Sequence, residues 1–126
     1  MSTKKILVVD DEASILEMAR ISLELMGDWK VLLAATATAG LAMARVEQPD
    51  AILMEVNMRH VDGPAVLRCL LADETTGHIP VILLTEQLAS AERRRYDESG
   101  VAGLICKPFH AMDLPRQVAT LLGWRP

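Results

Sequence analysis

Five short apolar runs punctuate this chain, and each gives way to polar residues and then to a stretch with helical spacing. Ile6 to Val9, Ala51 to Glu55 and Pro80 to Thr85 are nearly continuous aliphatic runs with no polar alternation. Such runs suit strands covered on both faces, the hallmark of a parallel sheet. Parallel neighbours cannot be joined by a tight hairpin, so the intervening segments must be crossovers, and these are right-handed helices. The pattern therefore predicts an α/β fold, a doubly wound five-stranded parallel sheet with helices on both faces.

The boundaries follow from local chemistry. After Ile6–Val9 and the acidic Asp10-Asp11-Glu12, apolar residues recur at helical spacing from Ala13 to Met26, with Gly27 expected to cap the helix C-terminus. Lys30 to Ala35 reads as the second strand, and Thr38 as the N-cap of a helix over Ala39 to Val46 that Gly40 weakens. Pro49-Asp50 opens the third strand, and Asp62-Gly63 closes the loop beyond it. Pro64 to Ala72 places Val66, Leu67, Leu70 and Leu71 on one helical face. Ala89 to Ser99 is a polar helix closed by Gly100, and Gly103 to Cys106 a brief fifth strand. The last helix is expected over Leu114 to Leu122, with Asp113 as N-cap and Pro115 in the first turn.

With 126 residues, 51% of them hydrophobic, the chain is expected to form one domain, 1–126, with a substantial core. A net charge of −4 argues against direct nucleic-acid or anionic-membrane binding, which needs clustered positive charge. Cys69 and Cys106 lack metal or redox spacing and read as buried free thiols. The apolar run after Lys4-Lys5 is too short for a signal peptide or membrane span, so a cytoplasmic location is expected.

Parallel strands bring their carboxyl ends to one edge, where ligands bind in open α/β sheets. Asp10, Asp11, Glu55, Thr85 and Lys107 should meet there. Carboxylates with a hydroxyl and an ammonium suit a divalent cation and a phosphoryl group, since Mg²⁺ takes a few carboxylates with water and phosphate oxygens. Each residue also has a plainer role. The acids can form a solvated loop, Thr85 can satisfy a strand-end backbone group, and Lys107 can pair structurally with Glu55. His60, His78 and His110 are scattered without ligand spacing, and Arg93-Arg94-Arg95 reads as a solvated helix face.

Taken together, Ile6-Leu-Val-Val-Asp10-Asp11-Glu12, the stretch Asp50 to Gly63, Pro80 to Thr85, and Gly103 to Phe109 with its Lys107-Pro108-Phe109 resemble the receiver domain of two-component response regulators, including the single-domain chemotaxis type. The resemblance covers essentially the whole chain. It implies the flavodoxin-like strand order 2-1-3-4-5 and a cis bond between Lys107 and Pro108. By the same resemblance, Asp10, Asp11, the acceptor position Glu55 and the Asn57 backbone carbonyl hold Mg²⁺, while Thr85 and Lys107 bind phosphoryl oxygens. It also implies a sensor histidine kinase or effector protein as partner, met through the fourth helix, fifth strand and fifth helix, and it allows a homodimer.

Four positions depart from that pattern. The acceptor aspartate is Glu55, the proline after Met58 is Arg59, the aromatic switch position is Leu104, and the small residue after Thr85 is Glu86. Glutamate moves its carboxylate by roughly 1.5 Å, one C–C bond. Misplacing reacting groups by about 1 Å can cost on the order of 10²-fold in rate. The longer carboxylate can instead reach Lys107 or a metal, imitating a phosphoryl group with one negative charge against about two. If nothing neutralises the cluster, one of its carboxylates should have a raised pKa. The sequence thus predicts a receiver-like signalling module, part of a phosphorelay, that acts by protein contact and is not phosphorylated in the normal way. A working Mg²⁺-dependent phosphoacceptor is the alternative. A hydrolase or nucleotide-binding enzyme is disfavoured, because no phosphate-binding Gly-Lys loop, nucleophile elbow or dinucleotide fingerprint is present.

Overall fold

A computed structural model describes residues 3–59, 61–86 and 89–124. Strands and helices alternate throughout: β1 (Lys5–Val9), α1 (Ala13–Leu25), β2 (Lys30–Ala34), α2 (Ala37–Glu47), β3 (Ala51–Met54), α3 (Gly63–Ala72), β4 (Val81–Thr85), α4 (Ser90–Glu98), β5 (Gly103–Cys106) and α5 (Leu114–Leu122). All strand pairs are parallel, in the order β2-β1-β3-β4-β5. This is the expected doubly wound sheet, with the expected order.

Because successive strand residues point to opposite faces, each apolar run feeds two cores. Ile6, Val8, Leu53, Ile82, Leu84 and Ile105 pack with Leu16, Ala19 and Leu23 of α1 and Leu114 and Val118 of α5. Leu7, Val9, Ile52, Met54, Val81 and Leu83 pack on the other side with Ala37 and Ala44 of α2 and Leu67 and Leu70 of α3. Fully burying such a side chain stabilises the fold by about 1.5–3 kcal/mol. That is why the runs carry no polar residue before their carboxyl ends. The α4 helix is the exception, for none of its residues is fully buried, and Tyr96 is the side chain that packs part-way onto the second core.

Several local expectations need correcting. Thr36, not Thr38, caps α2, its hydroxyl accepting from the Ala39 N–H at 3.1 Å, so the helix starts two residues earlier than expected. Asp113 makes no cap bond and accepts instead from Arg116 at 2.6 Å. Met26 rather than Gly27 is the C-cap of α1. Glu55 lies one residue past β3, although its N–H still donates to Val9 at 3.0 Å. Both cysteines are exposed, not buried: Cys69 is on the outer side of α3 and Cys106 at the end of β5. His60 lies outside the described residues.

Two glycines are required by close approach. A Cβ on Gly40 would meet Val9 Cγ2 at 2.8 Å, which explains why α2 tolerates a weak helix former there. On Gly63 it would lie 1.8 Å from the Val56 carbonyl oxygen. The Val56 backbone therefore lies directly against the start of α3, whose N-cap, Asp62, accepts from the Ala65 N–H at 3.1 Å. The Lys107–Pro108 bond is cis. Trp29 and Trp124 form an edge-to-face pair, 5.5 Å between centroids, with Lys4 over Trp124, at the end of the sheet away from the acidic residues.

Candidate functional site

The strand register aligns Val9 with Met54, Met54 with Leu83, and Thr85 with Cys106, so the residues just past these strand ends share one edge. Asp10 follows β1 and is fully buried. Its Oδ1 accepts from the Glu12 N–H at 2.9 Å, and its Oδ2 accepts from Lys107 Nζ at 2.7 Å. Glu55, 4% exposed, directs Oε1 to the Asn57 N–H at 3.1 Å. Its Oε2 has no hydrogen-bond partner and meets Lys107 Nζ as an ion-pair contact at 3.4 Å. Glu12 is a third, more distant anionic neighbour of Lys107, at 3.9 Å.

The ionisation states follow from these contacts. Burial pushes the Glu55 carboxyl above its ordinary range, Asp10 adds to that push, and Lys107 with the Asn57 N–H opposes it. For Lys107, burial favours the neutral amine, yet the hydrogen bond and charge of Asp10, helped by Glu55 and Glu12, outweigh it and raise the ammonium's pKa. The shorter contact belongs to Asp10. A direct Lys107–Glu55 pair was the expectation from sequence, and the structure makes Glu55 the secondary partner.

The remaining residues divide. Asp11 points elsewhere, its Oδ2 accepting from the Arg59 backbone N–H at 3.0 Å. Thr85 is buried, with Oγ1 accepting from Asn57 Nδ2 at 3.3 Å and its carbonyl accepting from the Lys107 N–H at 2.8 Å. Leu104 is half-buried on β5 and lines a hollow of about 270 Å³ with Arg116, Gln117 and Leu121, on the flank of the sheet formed by β5 and α5. Sequence reasoning missed Glu12 and the Arg59 amide. Their signals were the third acid of the Asp10-Asp11-Glu12 run and the absence of proline at 59, since only a non-proline residue carries an N–H.

A profile of the response regulator receiver domain matches residues 6–119. The chain belongs to the response regulator receiver family. This receiver is 33% identical over 118 residues to the DNA-binding dual master transcriptional regulator RpaA of Synechocystis sp., covering 94% of the chain and 48% of that protein. It is 39% identical over 123 residues to the response regulator PleD of Caulobacter vibrioides, covering 96% of the chain and 26% of that protein. It thus spans about half the length of the first of these relatives and a quarter of the second. The polar-differentiation response regulator DivK of Brucella ovis is 29% identical over 122 residues, with 97% of the chain and 96% of that protein covered. Among solved structures, the chemotaxis response regulator CheY4 of Vibrio cholerae superposes with a TM-score of 0.86 at 25% identity, over 95% of this chain and 99% of that one.

Receivers are in general signalling modules that interact with histidine kinases and effector domains, and they generally bind Mg²⁺ at the acidic pocket. In this receiver the carboxylates at the matching positions are turned to protein donors. Among the described residues no three acidic, histidine or cysteine side chains are grouped to hold a metal ion. Asp10 and Glu55 turn to Lys107, and Asp11 to the Arg59 amide. Among the described residues no helix is long and apolar enough to cross a membrane.

Proposed function

We propose that this receiver transmits signals in a two-component phosphorelay by protein–protein contact, and that Glu55 is not turned over as an ordinary phosphoacceptor. One observation carries the reading: the Glu55 carboxylate reaches Lys107 at 3.4 Å while that ammonium is already hydrogen-bonded to Asp10 at 2.7 Å. The positions matching the acceptor, the cation site and the phosphoryl-binding lysine thus form one internal ion-pair network. Asp10, Asp11, Glu55 and the Asn57 carbonyl are the positions at which Mg²⁺ would bind, and the commitments of the three carboxylates weaken that binding. Thr85 and Lys107 keep the phosphoryl-binding positions. On this reading residues 1–126 are one receiver domain acting in the cytoplasm.

Partner contact is assigned to α4, β5 and α5. The support is that α4 is exposed apart from the half-buried Tyr96, with Arg93, Arg94 and Arg95 all in solvent, and that Leu104 lines the hollow beside Arg116 and Gln117. A sensor kinase or effector protein fits this face, and a second copy of the chain can use the same surface. The competing reading is a working phosphoacceptor, favoured by one observation: Glu55 Oε2 is buried without a hydrogen bond and so retains a free lone pair.

Intact mass after incubation with Mg²⁺ and acetyl phosphate separates the two. We expect the Glu55→Asp variant alone to gain a phosphoryl group. Gain by the natural protein, mapped to Glu55, would establish the competing reading.

A further inference from the structure

The Arg59 amide has a consequence for cation binding that the Glu55 substitution alone does not produce. Of Asp10, Asp11 and Glu55, Asp11 has the most solvent-accessible carboxylate and is the one not engaged by Lys107. Its Oδ2 is held instead by the Arg59 N–H at 3.0 Å, across the 48 residues separating the β1 end from the loop after β3. A charge-assisted bond of this kind is stronger than a neutral one. Proline, the residue that the resemblance leads one to expect here, has no N–H and could not make the bond.

We infer that Arg59 is a positioning residue whose backbone amide holds Asp11 away from the cation position, so that together with Lys107 it keeps the acidic pocket in a metal-poor state. The two halves are complementary. Lys107 occupies Asp10 and Glu55, and the β3–α3 loop occupies Asp11. A divalent cation drawing on Asp10 Oδ2 or Asp11 Oδ2 would compete with these donors for the same oxygens. The Arg59 side chain is exposed and is not required for the bond, which belongs to the main chain. Gly63 packs closely on the Val56 carbonyl, three residues before the amide.

This rests on reading the chain as a receiver with altered site chemistry, and its test is independent of phosphorylation. The dissociation constant for Mg²⁺ is measured by isothermal titration calorimetry on the full chain, with Mn²⁺ broadening of the amide signals of residues 10–12 and 55–59 locating the ion. Arg59→Pro removes the donor and should tighten binding by about tenfold or more, the worth of one hydrogen bond to a charged group. Arg59→Ala keeps the N–H and should stay within about twofold of the natural protein. Equal tightening by both variants would assign the effect to the guanidinium charge and overturn the inference. So would micromolar Mg²⁺ affinity in the natural protein.

If Arg59→Pro does not fold, Asp11→Ala answers the same question. It should shift the Arg59 amide resonance and speed its hydrogen exchange, and an unchanged amide would sink the proposal. Failure here leaves the protein-contact reading standing. That reading falls only on phosphoryl gain at Glu55 by the natural protein.

Discussion

Replacing Lys107 with methionine removes the only cation within 4 Å of Asp10 and Glu55 among the described residues while keeping a side chain of similar length. Those carboxylates are 0% and 4% exposed, so water cannot take over the role of the ammonium without opening the site. Breaking a buried ion pair from one side costs about 3–5 kcal/mol. Each acid keeps one backbone donor, Glu12 N–H for Asp10 and Asn57 N–H for Glu55, which places the expected loss at pH 7 near the lower end, about 3 kcal/mol. The pH dependence has a definite sign. Glu55 is raised in the folded state by burial, so that state binds its proton more readily than the unfolded chain does, and stability falls as pH rises from the ordinary value of 4.5 through the folded value. Without Lys107 the folded value climbs further and the window widens upward. The penalty of Lys107→Met should therefore be smaller at pH 5 than at pH 7, and Glu55→Gln in that background should recover part of it. Urea unfolding followed by far-ultraviolet circular dichroism at both pH values supplies the numbers. A loss below about 1 kcal/mol at pH 7, or one unchanged at pH 5, would refute the buried-pair reasoning.

Two further outcomes can be checked directly. Gly63→Ala places a Cβ 1.8 Å from the Val56 carbonyl oxygen, and since backbone cannot rotate aside, the loop must move. We expect a loss of about 2–3 kcal/mol. This corresponds to a Tm fall of roughly 6–12 °C by scanning calorimetry, and a variant melting with the natural protein would contradict the close approach. Cys69 and Cys106 are both exposed, so both thiols should react with an aromatic disulfide reagent in the native protein about as fast as in denaturant. Slow reaction of either one would place that thiol in the interior.

The sheet was legible because its signal is local. Uninterrupted runs such as Ile6–Val9 and Val81–Thr85, too short for a helix of ordinary length, suit strands buried on both faces, and Pro49, Gly100 and Pro115 mark boundaries through local backbone constraints. The caps were less legible. Thr36 and Thr38 both have the right side chain, and which of them faces the first free N–H depends on where β2 leaves the sheet. The exposure of Cys69 and Cys106 was misread because composition reports how often cysteine is buried, not which helix face or strand end these two occupy.

At the candidate site, the sequence by itself determined which groups meet. Parallel strands must end together, so Asp10, Glu55, Thr85 and Lys107 share one edge however the loops run. What only the tertiary structure decided is how they pair. Lys107 lies 97 residues from Asp10, and a difference of 0.7 Å between its contacts, 2.7 Å against 3.4 Å, makes Asp10 the hydrogen-bonded partner and leaves Glu55 Oε2 without one. Asp11 went to the Arg59 amide, a donor that every non-proline residue carries and that no residue pattern singles out. The physical reason is range. Strand identity is written in a few neighbouring side chains, whereas the choice among three nearby carboxylates turns on ångström-scale positions set by the packing of loops against α3 and β5.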